Sequence, residues 1–568
     1  MMFFNKFFTL LVALLVVGSA YSQTEFKINN PDPQVEDGFG FSVGIWKDKA
    51  VVGSYYDDNS NGSDAGSAYA FQWNGTEWVE SQFILPQDGA TESSFGYSIC
   101  LADTQLVIAA TYDRGCGSVY YFTWNGEEWV EKQKIEHDNI GSLDDFGTSM
   151  ALDGNTLLVS SPEKDDNGMN SGAVYVFKLE NNLWVLKQTL YPNDPQPFDV
   201  FGYSVAIEGE TIAVGTPAHS AWNPAKTGYV YTFNWDGTEY VETQKIIPFD
   251  GSLNDWFGRS VGISDNKLAV GASYSGEGGA VYLYNFDGTE WIYDEKLTSS
   301  EAGSGARFGD KLTFNGKVLT IGSPWHTHDG AYNVGSAYIY KYENNTYNYI
   351  AELVPSDLIE GGWAGQSVAQ YGSNIMVGAP YQYFGDMQWV GASYVYSFED
   401  LLNDDATLSD LTVNDVTVDG FASDVLEYNV LLPLGTTEVP TVVGTPNDLN
   451  ASAFVMNATT LPGTTQIVVT AENGITQLTY IVNFTIATGV ENLSFGRNIT
   501  PNPANEIIQI RNMENSTLKI YSLTGKLMNT REITENNVSM DISFLPAGSY
   551  FFNFTNNENT VSIKVIVL

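Results

Sequence analysis

Hydrophobic and polar residues alternate along most of this chain in short segments, which are separated by turns rich in glycine, asparagine and aspartate. In one representative stretch, residues 201–207 alternate, residues 208–210 form a turn, and Thr211–Thr216 follows as a second segment. Two further segments, residues 228–234 and 239–246, flank the pair Asp236-Gly237, which suits a two-residue hairpin turn because both residues accept positive φ. The pattern predicts four antiparallel strands joined as a meander.

This four-strand pattern recurs seven times at a spacing of 51 to 56 residues. Each unit opens with an aromatic-glycine pair, except that alanine replaces the aromatic residue in the seventh. The pairs are Phe39-Gly40, Phe95-Gly96, Phe146-Gly147, Phe201-Gly202, Phe257-Gly258, Phe308-Gly309 and Ala364-Gly365. A repeat of this length with several strands per unit is typical of a propeller blade. The sequence therefore predicts an all-β fold with a seven-bladed β-propeller over residues 23–400.

The seventh unit has no fourth strand of its own before the composition changes near residue 400. Residues 24–29 precede the first pair in the way that a fourth strand precedes each later pair. We therefore expect residues 24–29 to close the last blade, which would remove an exposed sheet edge. At Ala364 the missing aromatic ring predicts a looser blade, with Trp363 as the residue that could fill the space.

The repeats resemble a known family in strings such as Phe201-Gly-Tyr-Ser-Val-Ala-Ile and Ile212-Ala-Val-Gly-Thr-Pro. These are similar to the FG-GAP repeats of integrin α-chain propellers and of many exported bacterial proteins, and the resemblance covers residues 24–400. It implies a secreted or cell-surface protein that binds or adheres to an extracellular protein or glycan. Integrin-like repeats often hold calcium between their first two strands, but here that connection is a tight turn without room for a cation.

Another loop of the first repeat is a candidate calcium site. Asp57, Asn59 and Asn61 with the following Gly62 have the oxygen-ligand spacing of a calcium loop, and Asp64 could add a carboxylate. Ala68 stands where such a loop has its bidentate glutamate. The alternative is an ordinary polar loop, since the same residue types favour turns.

Long connections occur between the second and third strands and between successive units, so they should emerge on one face. Binding residues concentrate on loops held by a rigid scaffold, which makes this face the predicted docking surface. The residue seven positions before each pair is acidic in all repeats but one. Turn formation and ligand contact are the alternative roles for it. The residues are Asp32, Asp88, Asn139, Asp194, Asp250, Glu301 and Asp357.

No catalytic constellation is visible, so the protein is predicted not to be an enzyme. His326 and His328 lack a defined third ligand for zinc, and an exposed polar loop is favoured there. A polysaccharide-active hydrolase or lyase is an alternative, because the propeller has many acidic residues. Whether two carboxylates stand at the separation needed for glycoside cleavage depends on the fold. A structural role in a surface layer or matrix is a third alternative. Cys100 and Cys116 could form one disulfide in an oxidising compartment.

Two small β-sandwich domains are predicted after the propeller. Residues 401–489 contain strings such as Leu408-Ser-Asp-Leu-Thr-Val that resemble a cadherin-like spacer. Residues 497–568 contain Pro501-Asn-Pro-Ala-Asn and Leu545-Pro-Ala-Gly-Ser-Tyr550. They resemble the type A sorting domain of the Bacteroidota type IX secretion pathway. That resemblance implies export across the outer membrane and contact with the type IX machinery.

The charge and the amino-terminal segment agree with an extracellular protein. Residues 1–22 have an apolar run followed by small residues, which predicts a signal peptide. No other apolar stretch is long enough to span a membrane, so no span is expected in the mature chain. The formal net charge of −43 argues against nucleic acid as a partner. The predicted location is secreted or on the outer cell surface.

Overall fold

The computed structural model divides the chain into two compact units after Leu402. The described residues are 22–136, 141, 143–217, 227–299, 303–357, 359–383, 385, 387–399, 401–448, 450–487, 499–556 and 560–568. The predicted signal peptide lies outside them except for its last residue. Among the described residues, no helix has the length and apolar character to cross a membrane.

The first unit is built from twenty-eight strands and one short 3-10 helix, Asp113–Gly115, within the described residues. The strands are β1 (Gln23–Asn29), β2 (Phe39–Trp46), β3 (Lys49–Ser54), β4 (Ser67–Trp73), β5 (Trp78–Ile84), β6 (Phe95–Ala102), β7 (Gln105–Ala110), β8 (Ser118–Trp124), β9 (Trp129–Ile135), β10 (Met150–Asp153), β11 (Thr156–Ser161), β12 (Ala173–Glu180), β13 (Leu183–Leu190), β14 (Ser204–Glu208), β15 (Thr211–Thr216), β16 (Tyr229–Trp235), β17 (Tyr240–Ile246), β18 (Phe257–Ser264), β19 (Lys267–Ala272), β20 (Ala280–Phe286), β21 (Trp291–Leu297), β22 (Lys311–Phe314), β23 (Val318–Ser323), β24 (Ser336–Glu343), β25 (Thr346–Leu353), β26 (Ser367–Tyr371), β27 (Asn374–Ala379) and β28 (Ala392–Phe398).

These strands form seven four-stranded antiparallel sheets in the described part of the unit. Blades 1 to 6 are consecutive meanders, from β2–β5 to β22–β25, and blade 7 combines β26–β28 with β1. The strands of each blade are called a to d from the inside outward. Strand a of every blade contacts strand a of both neighbouring blades, and β26 contacts β2, so the sheets close into a ring. The predicted all-β propeller is confirmed.

Strand β1 closes the ring. It pairs antiparallel with β28 over its full length, from Gln23 opposite Phe398 to Asn29 opposite Ala392. Ile28 is buried within the cluster that joins the first and last blades. The circle is therefore closed by hydrogen bonds between strands that lie far apart in the sequence, as the repeat pattern predicts.

The aromatic ring of each pair is the packing wedge between blades. All six phenylalanines are fully buried. Each makes an edge-to-face contact with a tyrosine of strand c, with ring centroids 5.3 to 5.7 Å apart. Ala364 is also fully buried, but Trp363 is only half-buried and packs on Trp325 and Tyr381 at the rim. The prediction that Trp363 fills the missing ring's place is therefore wrong, because its ring packs against these two loop residues instead.

The glycine of each pair is required by a close approach of neighbouring backbones. Gly40 has φ +95°, and a Cβ there would lie 2.4 Å from the carbonyl oxygen of Ala392. On strand b, a Cβ at Gly378 would lie 1.9 Å from the carbonyl oxygen of Gly40. Any side chain at these positions would force adjacent blades apart.

The second unit, Asn403–Leu568, begins with a two-sheet sandwich. One sheet has the order β30-β29-β32 and the other β31-β35-β34-β33, with β31 and β35 parallel. Their inner faces share one buried cluster. The cadherin-like resemblance of this domain stays a prediction. The strands are β29 (Leu408–Val413), β30 (Val416–Thr417), β31 (Glu427–Leu432), β32 (Val442–Pro446), β33 (Ser452–Met456), β34 (Gly463–Thr470) and β35 (Gln477–Ile486).

A second sandwich follows in the same unit. Its sheets have the orders β36-β37-β40 and β39-β38-β41-β42, and they enclose a separate buried cluster. Ile508, Ile520 and Phe552 are fully buried in it. The strands are β36 (Ile499–Thr500), β37 (Ile507–Arg511), β38 (Ser516–Ser522), β39 (Leu527–Ile533), β40 (Asn537–Asp541), β41 (Gly548–Thr555) and β42 (Thr560–Val567).

Candidate binding face

Two kinds of loop build one face of the propeller. In blade 1 the turns between strands a and b and between c and d are short, at residues 47–48 and 74–77. The b–c loop, residues 55–66, and the connection to the next blade, residues 85–94, are longer. In a meander these two longer kinds of connection lie at the same end of the strands. We call this end the long-loop face.

In four of the blades the repeated acidic position belongs to a triad with a tyrosine of strand c and a lysine of strand d. In blade 2, Asp88 accepts a hydrogen bond from the Tyr120 hydroxyl at 2.9 Å and an ion pair from Lys134 at 2.8 Å. Burial opposes ionisation, but bonds from Lys134 and Tyr120 hold the pKa of Asp88 below its usual value. The same triad occurs in blades 4, 5 and 7 as Tyr231-Asp194-Lys245, Tyr282-Asp250-Lys296 and Tyr394-Asp357-Lys27.

These aspartates therefore hold the incoming loop against strands c and d. They are neither the simple turn formers nor the free ligand contacts that the sequence suggested. Asn139 and Glu301, at the equivalent positions of blades 3 and 6, lie outside the described residues.

The candidate calcium residues lie in the b–c loop of blade 1. Asp57 is buried, whereas Asn59, Asn61 and Asp64 are half-buried. Burial is the main cause that raises the pKa of Asp57 to about 6. A raised pKa means that burial has removed the carboxylate from water, and that nearby positive charges or hydrogen bonds do not fully offset this loss.

Most polar groups of this loop bond to one another. The Asn59 amide donates to the Gly66 carbonyl at 2.9 Å, and its oxygen accepts the Asn61 backbone amide at 2.9 Å. The backbone amide of Asp64 donates to Asp58 at 2.8 Å. These bonds account for an ordered polar loop without a cation. Calcium binding by Asp57, Asn59, Asn61 and Asp64 stays a prediction.

The two histidines of blade 6 differ from the sequence-based expectation. His326 is buried, with only 4% of its surface exposed, so the prediction of an exposed polar loop is wrong for it. Its Nδ1 lies 2.8 Å from Oε1 of Glu352 on strand β25. Sequence reasoning could not find Glu352, because only the strand register places it beside the loop. His137 and His219 lie outside the described residues.

A series of aromatic rings surrounds the inner end of the long-loop face. Phe41 of blade 1 packs on Tyr55 of the same blade and on Tyr97 of blade 2, with ring centroids 4.1 and 5.0 Å apart. Burial, and then the neighbouring Tyr381, raises the pKa of Tyr55. Tyr381 in turn lies 4.6 Å from Trp363. The rings are therefore in contact from one blade to the next.

The series continues through blades 6, 5 and 4 with two arginines between the rings. Arg307 stacks on Trp325 at 3.2 Å from the ring centroid and also donates a hydrogen bond to the Tyr274 hydroxyl. Arg259 lies 4.6 Å from the ring centroid of Tyr203 and is paired with the buried Asp310 at 3.1 Å. We call the whole series the aromatic arc; its members are Tyr97, Phe41, Tyr55, Tyr381, Trp363, Trp325, Arg307, Tyr274, Trp256, Arg259 and Tyr203.

Most arc residues occupy three recurring positions of the repeat. One position precedes the aromatic-glycine pair, one follows it, and one lies two residues after strand b. Trp256, Arg307 and Trp363 hold the first position, and Tyr274, Trp325 and Tyr381 hold the third. The sequence therefore contains a periodic signal for the arc at loop positions, beside the signals of the strands and the acidic residues.

Blade 3 interrupts the arc with carboxylates at two of these positions. Asp145 precedes the pair and Glu163 follows strand b. Burial, then Glu163 and Asp144, raises the pKa of Asp145 to about 7. The pKa of Glu163 is also raised, mainly by burial. The inner end of this face thus combines half-buried rings with two carboxyl groups whose pKa values burial raises.

Two protein-family models match the chain. The model described as FG-GAP repeat matches residues 23–71, 78–122, 129–177, 184–233, 240–284 and 291–340, which is just over half of the chain. Each segment runs from a strand d into strand c of the next blade, and the first begins at β1. The model described as secretion system C-terminal sorting domain matches residues 498–568. Both resemblances predicted from the sequence are confirmed.

Individual proteins give narrower similarities. A gellan lyase of Bacillus sp is 44% identical over 86 residues, which are 15% of this chain and 4% of the lyase. The chain thus spans a small part of that relative. A structure described as a 6-phosphogluconolactonase of Bacteroides uniformis has a TM-score of 0.39 and 12% identity, over 56% of this chain and 85% of the other. A chain of a mitotic checkpoint complex has a TM-score of 0.40 and 10% identity, over 69% and 99%.

Proposed function

Because the chain belongs to the FG-GAP repeat family and carries a secretion-system sorting domain, we propose that it is an exported protein that binds an extracellular glycan across the aromatic arc. The sorting domain indicates export by the type IX pathway, with release or attachment at the outer cell surface, and contact with that machinery. The arc is the observation that carries the binding proposal.

Half-buried aromatic rings suit the flat, C–H-rich faces of sugar rings. Such rings offer a large apolar area and lose little conformational freedom on binding, since each has only two rotatable side-chain torsions. The rings of Trp325 and Trp363 pack at a tilt of 56° with their centroids 5.5 Å apart, and they hold each other in place. Hydroxyls of Tyr274 and Tyr381 at the ring edges supply the polar groups that orient a sugar.

The charge of the protein favours a neutral glycan. The formal net charge of −43 repels polyanions at a distance. Arg259 is already neutralised by Asp310, which leaves Arg307 as the arc's available cation. A carboxylated polysaccharide would therefore gain one favourable contact with Arg307, while the negative charge of the rest of the protein repels it. The segment shared with a gellan lyase supports a polysaccharide as the ligand class.

Removing the two central tryptophans is expected to abolish most of the affinity. Replacing both Trp325 and Trp363 by Ala should weaken binding by at least about thirtyfold, because one buried aromatic anchor contributes about 2 kcal/mol. Isothermal calorimetry with soluble neutral polysaccharides, and with gellan as the anionic comparison, measures this. Trp78→Ala is the matched control, since Trp78 packs on Trp73 at the opposite rim. Equal losses in both variants, or no binding to any polysaccharide, would refute the proposal.

A second candidate function is cleavage of the bound glycan. Its support is Asp145, whose pKa of about 7 suits a general acid or base at neutral pH. Asp145→Asn is expected to lower cleavage at least about a hundredfold while leaving binding unchanged. Incubation with the same polysaccharides, followed by assay of new reducing and unsaturated ends, tests this. Glu210→Gln at the opposite rim is the control, and intact chains after prolonged incubation would contradict the enzyme proposal.

A further inference from the structure

Blade 6 departs from the repeated triad at its charged positions. Glu352 pairs with Tyr338 in the strand ladder, where Lys134 pairs with Tyr120 in blade 2. In the b–c loops, His326 of blade 6 corresponds to Asp113 of blade 2. The backbone carbonyl of each accepts an amide hydrogen bond at 3.0 Å from the glycine that precedes strand c.

The acidic and basic residue types of these two positions are exchanged between the blades. Lys134 contacts Asp113 at 2.7 Å in blade 2, and Glu352 contacts His326 at 2.8 Å in blade 6. An ion pair of reversed sign would explain His326 and Glu352 by themselves. It does not explain a second imidazole at the same place.

That second imidazole is His328, which a well-defined turn holds beside the pair. The amides and carbonyls of His328 and Ala331 bond to each other at 3.1 and 2.9 Å. Asp329 and Gly330 form the tip with positive φ. One ligand atom each from His326, His328 and Glu352 lies within 4.8 Å of the other two. The turn thus places the His328 imidazole, a third possible metal ligand, beside the contacting pair of His326 and Glu352.

We propose that His326, His328 and Glu352 bind a zinc ion. Two imidazoles and one carboxylate are a donor set that zinc takes in proteins, with bonds of about 2.0–2.2 Å. Tetrahedral ligands on such bonds are roughly 3.3 Å apart, so small side-chain rotations would complete the site. Binding would replace the direct contact of His326 and Glu352 with a bridging ion.

The surroundings support a cation at this place. The Ser336 hydroxyl lies 3.1 Å from Nδ1 of His326, the same atom that contacts Glu352, so it would give up this bond to an incoming ion and is itself a nearby oxygen. Asp329 lies 3.5 Å from Nε2 of His328 and offers a further oxygen. The His328 side chain is one-third exposed, which leaves a path for entry. The site is independent of the carbohydrate proposal.

Titration with zinc alone tests the proposal on the purified full-length protein. The wild type should bind one equivalent, and His328→Ala should weaken that binding at least about tenfold. His219→Ala is the matched control, since it removes a histidine that lies far from His328 in the sequence, in a different repeat. Cobalt in place of zinc should give the visible absorption of a tetrahedral site with nitrogen ligands in the wild type, and lose it in His328→Ala.

Thermal unfolding separates metal binding from structural damage. At the same zinc concentration, zinc should raise the midpoint of the wild type clearly more than that of His328→Ala, because the stabilisation grows with the affinity for the folded state. Without metal the two proteins should unfold at the same temperature, since His328 is partly exposed. Absence of zinc binding, wild-type affinity in His328→Ala or Glu352→Gln, or an equal loss in His219→Ala would overturn the proposal.

Discussion

Replacing Ile28 by Asp is expected to open the ring and lower the unfolding midpoint of the propeller by about 10 °C or more. Ile28 is 3% exposed and packs where the first and last blades meet. Loss of a buried isoleucine costs about 2–5 kcal/mol, and burying an unpaired charge adds to it. One kcal/mol shifts the midpoint of a large domain by about 2–4 °C.

Thr24→Asp is the matched control for this substitution. It adds the same charge to the same strand, at an exposed position opposite Ser397. Circular dichroism and intrinsic fluorescence should show a large loss for Ile28→Asp and a change within about 2 °C for Thr24→Asp. Equal midpoints for Ile28→Asp and the wild type would mean that β1 does not secure the ring.

The strand pattern could be predicted from the sequence because its causes are local. Alternation of period two and Asn-Gly or Asp-Gly turns determine each hairpin. Trp73 pairs directly with Trp78, and Trp124 with Trp129, as their places beside the turns predict. The alternation predicts that strand a of blade 4 begins at Phe201, but β14 begins at Ser204. Phe201 forms only an isolated bridge to Gly172. Contact with the neighbouring blade determines that boundary.

The candidate sites depend on contacts between repeats, which one repeat does not reveal. Glu352 reaches His326 only through the register of β24 with β25. Arg307 and Trp325 meet at the inner end of one blade, and Trp363 joins them from the next. The arc positions recur periodically in the loops, but only the closed ring of blades brings their side chains together.

The two sandwiches of the second unit were predicted less completely. Strands β32 and β33 are hard to predict, because residues 433–462 contain several prolines and asparagines, which favour turns. Tertiary pairing overrides that preference: Val442 pairs with Val413, and Val455 pairs with Ile467. Strand propensity is therefore a weaker guide here than in the repeats, where seven examples reinforce one another.

Deleting residues 498–568 is expected to remove nearly all of the protein from the cell surface and the medium. These residues match the sorting-domain model, and they form a sandwich with its own buried cluster. The described members of that cluster all lie between Ile499 and Val567, so the truncated chain should still fold and accumulate inside the outer membrane. Immunoblots of surface, medium and periplasmic fractions measure the change.

Two adjacent substitutions test whether export needs the folded sandwich. Ile520 is fully buried, whereas Lys519 on the same strand is exposed. Ile520→Asp should therefore block export as strongly as the deletion, because it places a charge in the core, while Lys519→Asp should leave the domain folded. Residues 498–568 fused to an unrelated periplasmic passenger should carry it to the surface. Normal surface amounts of the truncated chain would show that the export signal lies elsewhere, whatever the family match of this domain.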